Sequence, residues 1–286
     1  MQKRVITIQD ISCIGRCSLT VALPILSAAG IETSILPTAV LSTHTGGFTG
    51  YTFRDLSDDV EPICAHWQSL GIKADAIYTG YLGSEDQLDM MSKFFDDFTS
   101  DGKCGNGTTI LVDPAMADEG KLYPAFDEAF ALGMRDLCAK ANIIAPNITE
   151  ACFMLQKAYP GDDYDRPYIE DMLRELSDIG PAKVVLTGVS FDAGKVGAAA
   201  YDAQEDTIDY YFTERVEGYY HGTGDIYSST LLAAMLNDMS LAEAIKVACE
   251  FTLGAIKRTH AAGTDPKYGV DFEHGIPELI KLLKIA

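Results

Sequence analysis

The chain has 286 residues, 47% of them hydrophobic and 22% charged, enough to bury a substantial core in one large α/β domain spanning 1–286. Its 42 acidic residues against 22 basic ones leave a net charge of −20, which repels polyanions and argues against nucleic acid or an anionic membrane surface as partner. Seven cysteines, at 13, 17, 64, 104, 138, 152 and 249, are odd in number and include no CxxC pair, so neither a disulfide frame nor a zinc site is indicated and a reducing cytoplasm is the simplest compartment.

From the N-terminus, RVITIQ (4–9) reads as a strand and 18–29 as a helix. The longest apolar stretch, 19–31, is broken by Thr20, Pro24 and Ser27, so neither a signal peptide nor a membrane span is expected. Cys13 and Cys17 in DISCIGRCS have a CxxxC spacing that suits zinc poorly without further ligands; they read as small packed thiols. TSILPTAVL (33–41) is the next strand. It is followed by STHTGGFTGYTFRD (42–55), polar, glycine-rich and aromatic, which reads as an irregular lid or substrate-rim loop rather than a strand.

Helical patterns over 58–70, 85–98, 124–140, 149–157 and 167–179 then alternate with the strand-like runs DAIYTG (75–80), TTILVD (108–113), NIIAPN (142–147) and KVVLTG (183–188). This alternation is the signature of βαβ units and a doubly wound, mostly parallel sheet flanked by helices. GDDYDR (161–166) reads as a solvated loop. After residue 195, VGAAAYD (196–202) and TIDYYFTE (207–214) pair across a turn and form an antiparallel edge. Ser240 and Glu243 make a capping-box pattern that opens an amphipathic helix over 241–258.

The segment before that helix, YHGTGDIYS (220–228), places two glycines and an aspartate ahead of the apolar run TLLAAMLND. It lacks the lysine of a Walker loop and the third glycine of a dinucleotide fingerprint. Asp225 is a helix cap after a tight turn, or the N–H groups of Gly222, Thr223, Gly224 and Asp225 form an anion site at the positive end of a helix; the four residues alone leave both open. Asn147 and Glu150 can similarly be a helix start or part of an acidic metal-binding cluster with Asp113, and Asp113 can be a turn residue before Pro114.

Together these segments are similar to the pyridoxal kinase family of the ribokinase-like superfamily. The matching motifs are VITIQD (5–10), LSTHTGGF (41–48), YTGYLGS (78–84), VDPAMAD (112–118), APNITE (145–150) and GTGD (222–225), all in the family's order over essentially the whole chain. The resemblance implies an ATP- and Mg²⁺-dependent kinase for the 5′-hydroxymethyl group of pyridoxal, pyridoxamine or pyridoxine, serving vitamin B6 salvage, and a homodimer. It makes Asp225 the catalytic base and Gly222, Thr223 and Gly224 the anion hole. Asp10, His44, Thr45, Gly46 and Tyr81 would bind the substrate, with Asp225 at its reacting hydroxyl. Asp113, Asn147, Glu150, Thr187 and Gly188 would bind ATP, and Glu150 and Asp113 the metal. Adenine contacts are expected from 214–220 and from the helix beginning at Ser240.

Two positions depart from the family. Pyridoxal kinases carry serine where this chain has Asp10, and a carboxylate there would favour a protonated ring nitrogen or the ammonium of pyridoxamine. Ala117 stands where glycine is more common. The rival readings are a hydroxymethylpyrimidine kinase or sugar kinase of the same superfamily, or a carrier of a B6 vitamer or nucleotide that has kept the fold.

Overall fold

The computed structural model describes residues 2–99 and 107–285; Cys104 lies outside them. In chain order the elements are β1 (Arg4–Ser12), α1 (Leu19–Ala28), β2 (Glu32–Leu41), β3 (Phe53–Asp55), α2 (Ser57–Ser69), β4 (Ala76–Thr79), α3 (Glu85–Thr99), β5 (Thr109–Val112), β6 (Ala117–Asp118), β7 (Lys121–Leu122), α4 (Glu128–Cys138), β8 (Ile143–Ile144), α5 (Ile148–Met154), α6 (Arg166–Ile179), β9 (Lys183–Val189), β10 (Lys195–Asp202), β11 (Thr207–Glu214), α7 (Thr223–Leu236), α8 (Leu241–Ala262) and α9 (Ile276–Leu282). Nine strands form one sheet in the order β11-β10-β9-β8-β5-β4-β1-β2-β3, and β6 with β7 makes a small separate ribbon.

The six strands from β9 to β2 run parallel. The antiparallel edge after residue 195 is β10 and β11, as the sequence indicated. A second antiparallel edge was not expected: the last residues of the 42–55 segment form β3, whose Phe53 pairs with Leu41 of β2. The chain leaves β1 on one side for β2 and returns on the other for β4, so the topological switch lies between β1 and β4. Ligands of such sheets bind at the carboxyl ends of the strands near this switch.

Side-chain alternation splits the core between the two faces of the sheet. Ile6, Ile8, Ile77, Ile110 and Val112 pack with α2 to α6, while Val5, Ala76, Tyr78 and Leu111 pack with α1, α7, α8 and α9. The expected strand over 142–147 shrinks to Ile143–Ile144 plus an isolated bridge from Asn147 to Thr187. Pro146 has no N–H to give a ladder, and its carbonyl accepts the Thr187 N–H at 2.9 Å. The Ser240–Glu243 capping box forms as read, and the helix it opens extends to Ala262. No described helix is long and apolar enough to cross a membrane.

Candidate active site

The turn at 220–224 and the first turn of α7 stand at the carboxyl edge of the sheet. Gly222 caps α7 with φ 76°, a left-handed conformation, and a Cβ there would lie 1.9 Å from the carbonyl oxygen of Arg16. The helical ladder begins with Ile226 N–H donating to the Gly222 carbonyl at 3.1 Å. The N–H groups of Thr223, Gly224 and Asp225 therefore precede the ladder at the positive end of a 14-residue helix, the arrangement that holds anions. Asp225 sits among them, only partly exposed, and burial pushes its carboxyl up to about 7 despite support from the Ser18 backbone N–H, with the Asp113 and Asp10 charges adding to the rise.

On one side of Asp225 lies an acidic pair. Asp113, directly after β5, is buried; its Oδ2 accepts the Ser228 hydroxyl of α7 at 2.7 Å, and desolvation raises it to about 6. Asn147 and Glu150 cap each other: Asn147 Oδ1 accepts the Glu150 N–H at 2.9 Å and Glu150 Oε2 accepts the Asn147 N–H at 2.8 Å. Glu150 Oε1 also accepts the Met116 N–H at 3.2 Å, and Asn147 Nδ2 donates to the Ala117 carbonyl at 2.8 Å. The helix-start reading of NxxE thus holds, and it leaves Glu150 buried with a pKa raised by desolvation and then by the Asp113 charge.

Neither Asp113 nor Glu150 makes an ion pair with a described residue. A cation beside them would relieve both, so the pair fits a metal electrostatically. Among the described residues no group of three or more His, Cys, Asp or Glu side chains could hold a metal unaided. Thr187, in β9, and Gly188, with φ 74° and open space about it, lie at the same strand ends beyond Asn147.

On the other side lie the residues expected to meet a ring. Asp10 is 4% exposed; its Oδ2 accepts the Ser12 hydroxyl at 2.8 Å and its Oδ1 the Ser18 hydroxyl at 2.5 Å. Burial raises its pKa, and these two hydroxyls oppose the rise. Tyr81, just past β4, packs on Phe126 at 5.5 Å and is pushed up to about 12 by burial and by the charge of Asp10.

His44 has both ring nitrogens engaged within the protein. Nδ1 accepts the Gly46 N–H at 3.1 Å, which makes Nε2 the donor to the Lys267 carbonyl at 2.6 Å. Burial holds it neutral by lowering its pKa. These two bonds tie the 42–48 loop to the 265–268 segment. Thr45 is exposed, and a Cβ on Gly46 would meet the His221 ring at 2.5 Å, so this loop rests directly on the 220–224 turn.

The sequence reading missed the turn at 15–18, taken as a pair of packed thiols. It is a hub: a Cβ on Gly15 would strike the His44 ring, Arg16 lies under Gly222 and Gly269, and Ser18 reaches Asp10 and Asp225. The six described cysteines are free, and Cys17 is driven well up by burial and the Asp225 and Asp10 charges, far from a reactive thiolate. Also missed was the 265–268 segment, where Lys267 braces His44 and Tyr268 meets Phe48 edge-on at 5.3 Å. The helix that begins at Ser240, α8, starts at the amino edge, beside Asp238 bonded to Lys3 at 2.8 Å and Asn237 bonded to the Ala29 carbonyl at 3.3 Å, and its far end reaches the 214–220 segment, where the Tyr220 hydroxyl and His260 Nδ1 lie 3.0 Å apart. A helix of 14 residues separates that edge from Gly222, so the first turn of α8 is remote from the site.

The model of the phosphomethylpyrimidine kinase family matches residues 27–269. A Bacteroides thetaiotaomicron protein assigned as a phosphomethylpyrimidine kinase, crystallised with pyridoxal, is 36% identical, with a TM-score of 0.92 over 98% of this chain and 96% of that one. Pyridoxal kinase from Lactobacillus plantarum is 28% identical, with a TM-score of 0.88 over 99% and 98% of the two chains. Pyridoxine kinase of Bacillus subtilis is 27% identical over 197 residues, 66% of this chain and 66% of that protein. The chain belongs to the phosphomethylpyrimidine kinase family and is a kinase with the ribokinase-like fold of the pyridoxal kinases.

Proposed function

We propose that this kinase transfers the γ-phosphoryl group of ATP to the 5′-hydroxymethyl group of pyridoxal, pyridoxamine or pyridoxine in vitamin B6 salvage. The observation that carries the reading is Asp225: a carboxylate raised to about 7, set among free N–H groups of a helix N-terminus and between an acidic pair and Asp10. A base tuned near neutrality beside an anion hole is what phosphoryl transfer to an alcohol requires. The B6 names of the relatives and the pyridoxal bound to the Bacteroides protein support the substrate class.

Asp225 takes the proton of the substrate hydroxyl as its oxygen attacks the γ-phosphorus, and the bond to the β,γ-bridging oxygen breaks to release ADP. The N–H groups of Gly222, Thr223, Gly224 and Asp225 hold the charge that develops on the transferred group. Mg²⁺, when bound, neutralises the phosphate oxygens of ATP. Asp113 and Glu150 would hold it, and Asn147, Thr187 and Gly188 would line the nucleotide side. Asp10 and Tyr81 face the ring, Thr45 and Gly46 belong to its rim, and residues 42–55 act as a lid or rim over it. We further expect a cytoplasmic homodimer, checked by sedimentation of the purified protein.

A hydroxymethylpyrimidine kinase is the second reading, favoured by the description of the matching family. ATP turnover with the three B6 vitamers, hydroxymethylpyrimidine and a sugar panel decides between them. Preference for the pyrimidine or a sugar overturns the B6 assignment, and pyridoxal binding without ATP consumption would make the protein a carrier.

A further inference from the structure

We propose that Ser18 is a positioning residue whose hydroxyl fixes the Asp10 carboxylate in one orientation at the ring side of the cleft, and so sets the preference among substrates of different charge. The proposal rests on the reading above that Asp10 faces the vitamer.

Ser18 is an unusual helix start. It is the N-cap of α1, and its carbonyl accepts the N–H groups of Val21 and Ala22 at 2.9 Å each, yet its side chain makes no capping bond. Serine at an N-cap ordinarily gives its side-chain oxygen to the helix. Here the hydroxyl instead donates to Asp10 at 2.5 Å. The backbone is also strained, with φ 54° and ψ −132°, a region in which glycine is at ease and an L side chain is not. Glycine would satisfy this turn better on every local count. The serine forgoes its cap and accepts the strain, and Asp10 is the partner of its hydroxyl.

At Asp10 the consequence is geometric. Ser12 takes one carboxylate oxygen and Ser18 the other, so the plane of the group is fixed within a site that is 4% exposed. Ser18 also offers the strongest of the influences that oppose the protonation of Asp10 by burial. The groups around it are Ser12, Ser18, His44, Cys17, Tyr81 and Asp225. None of them is a lysine or arginine, and His44 is held neutral. With the Ser18 hydroxyl gone, Asp10 turns more freely and protonates at higher pH. Recognition of an ammonium or protonated ring suffers most, and that of a neutral substituent least.

The test compares wild type, Ser18→Gly, Ser18→Ala and Asp10→Asn, reading Tm, KM, kcat and the dissociation constants of pyridoxamine and pyridoxal from pH 6 to 8. Ser18→Gly is expected to match or exceed the wild-type Tm, whereas Ser18→Ala keeps the strain. Both should weaken pyridoxamine by roughly tenfold relative to pyridoxal, more at pH 6 than at pH 8, with KM rising by more than kcat falls. A purely structural role predicts the reverse pattern: Tm falls in Ser18→Gly and the two vitamers are affected alike, which overturns the proposal. If Asp10→Asn changes the vitamer ratio while Ser18→Gly does not, the Ser18 proposal alone fails. If Asp10→Asn leaves the ratio unchanged, the ring-facing reading of Asp10 fails and takes the proposal with it.

Discussion

Gly222 and Arg16 are in backbone contact so close that a Cβ on Gly222 would lie 1.9 Å from the Arg16 carbonyl oxygen. The 220–224 turn is thus shaped against the turn that follows β1. Gly222→Ala meets both that clash and the positive φ of 76°, and should lower stability by more than ~1 kcal/mol while cutting kcat. Gly224 has no heavy atom within 4 Å of where a Cβ would sit, so Gly224→Ala should keep the wild-type melting temperature within about a degree. Thermal melts of the two variants side by side check the difference.

Asp225→Asn keeps the size of the side chain and removes its ability to take a proton. Turnover should fall by roughly two to four orders of magnitude. Stability should move the other way. The folded-state pKa of Asp225 is raised, so its contribution to stability is full below about 4 and is lost as pH rises towards about 7. Relative to wild type, the variant should gain on the order of 1–3 kcal/mol at pH 7.5 and almost nothing at pH 4. Denaturant melts at the two values measure it, and equal stabilisation at both would remove burial of charge as the cause.

The same carboxyl sets a pH profile. A base must be deprotonated to work, so kcat/KM should rise with pH through about 7 and fall about tenfold per unit below it. The limb should be absent in the residual activity of Asp225→Asn. An acidic limb that stays in place in that variant would assign it to another group.

Asp113 and Glu150 are neighbouring buried carboxylates with no described cationic partner. Asp113→Asn removes one of the two charges and keeps an acceptor for the Ser228 hydroxyl. The Mg²⁺ concentration giving half-maximal activity should rise roughly tenfold, with partial recovery of kcat at high Mg²⁺. A chelator should abolish turnover in both proteins. A magnesium titration at fixed ATP reads both effects.

The parallel sheet was legible because its strands are short β-branched runs, as in KVVLTG, whose Val184 and Val185 are buried on opposite faces. The antiparallel edge was equally plain in TIDYYFTE. β3 was not, since Phe53–Asp55 is held only by pairing with β2, a contact that local composition does not record. NIIAPN looked like a longer strand because propensity cannot register the N–H that Pro146 lacks. At the site, GTGD and NxxE stood out because helix starts have local signatures. Ser18 did not: its positive φ and its bond to Asp10 exist only once α1 is folded against β1. His44 was noticed for its motif, but its partner Lys267 is 223 positions away.

That last distance bears on how the enzyme comes into being. A chain emerging from the ribosome can lay down β1, β2 and the loop carrying His44 early, since domains tend to organise from the N-terminus during synthesis. The carbonyl that receives the His44 ring follows 223 positions later, and with it the Tyr268 carbonyl that receives the Arg16 N–H at 3.1 Å. A chain halted before Asp265 would already hold Asp10, Asp113 and Asp225 in its sequence and still lack the brace on the His44 loop. The His44 loop is therefore braced only once the 265–268 segment has docked on the turn that follows β1.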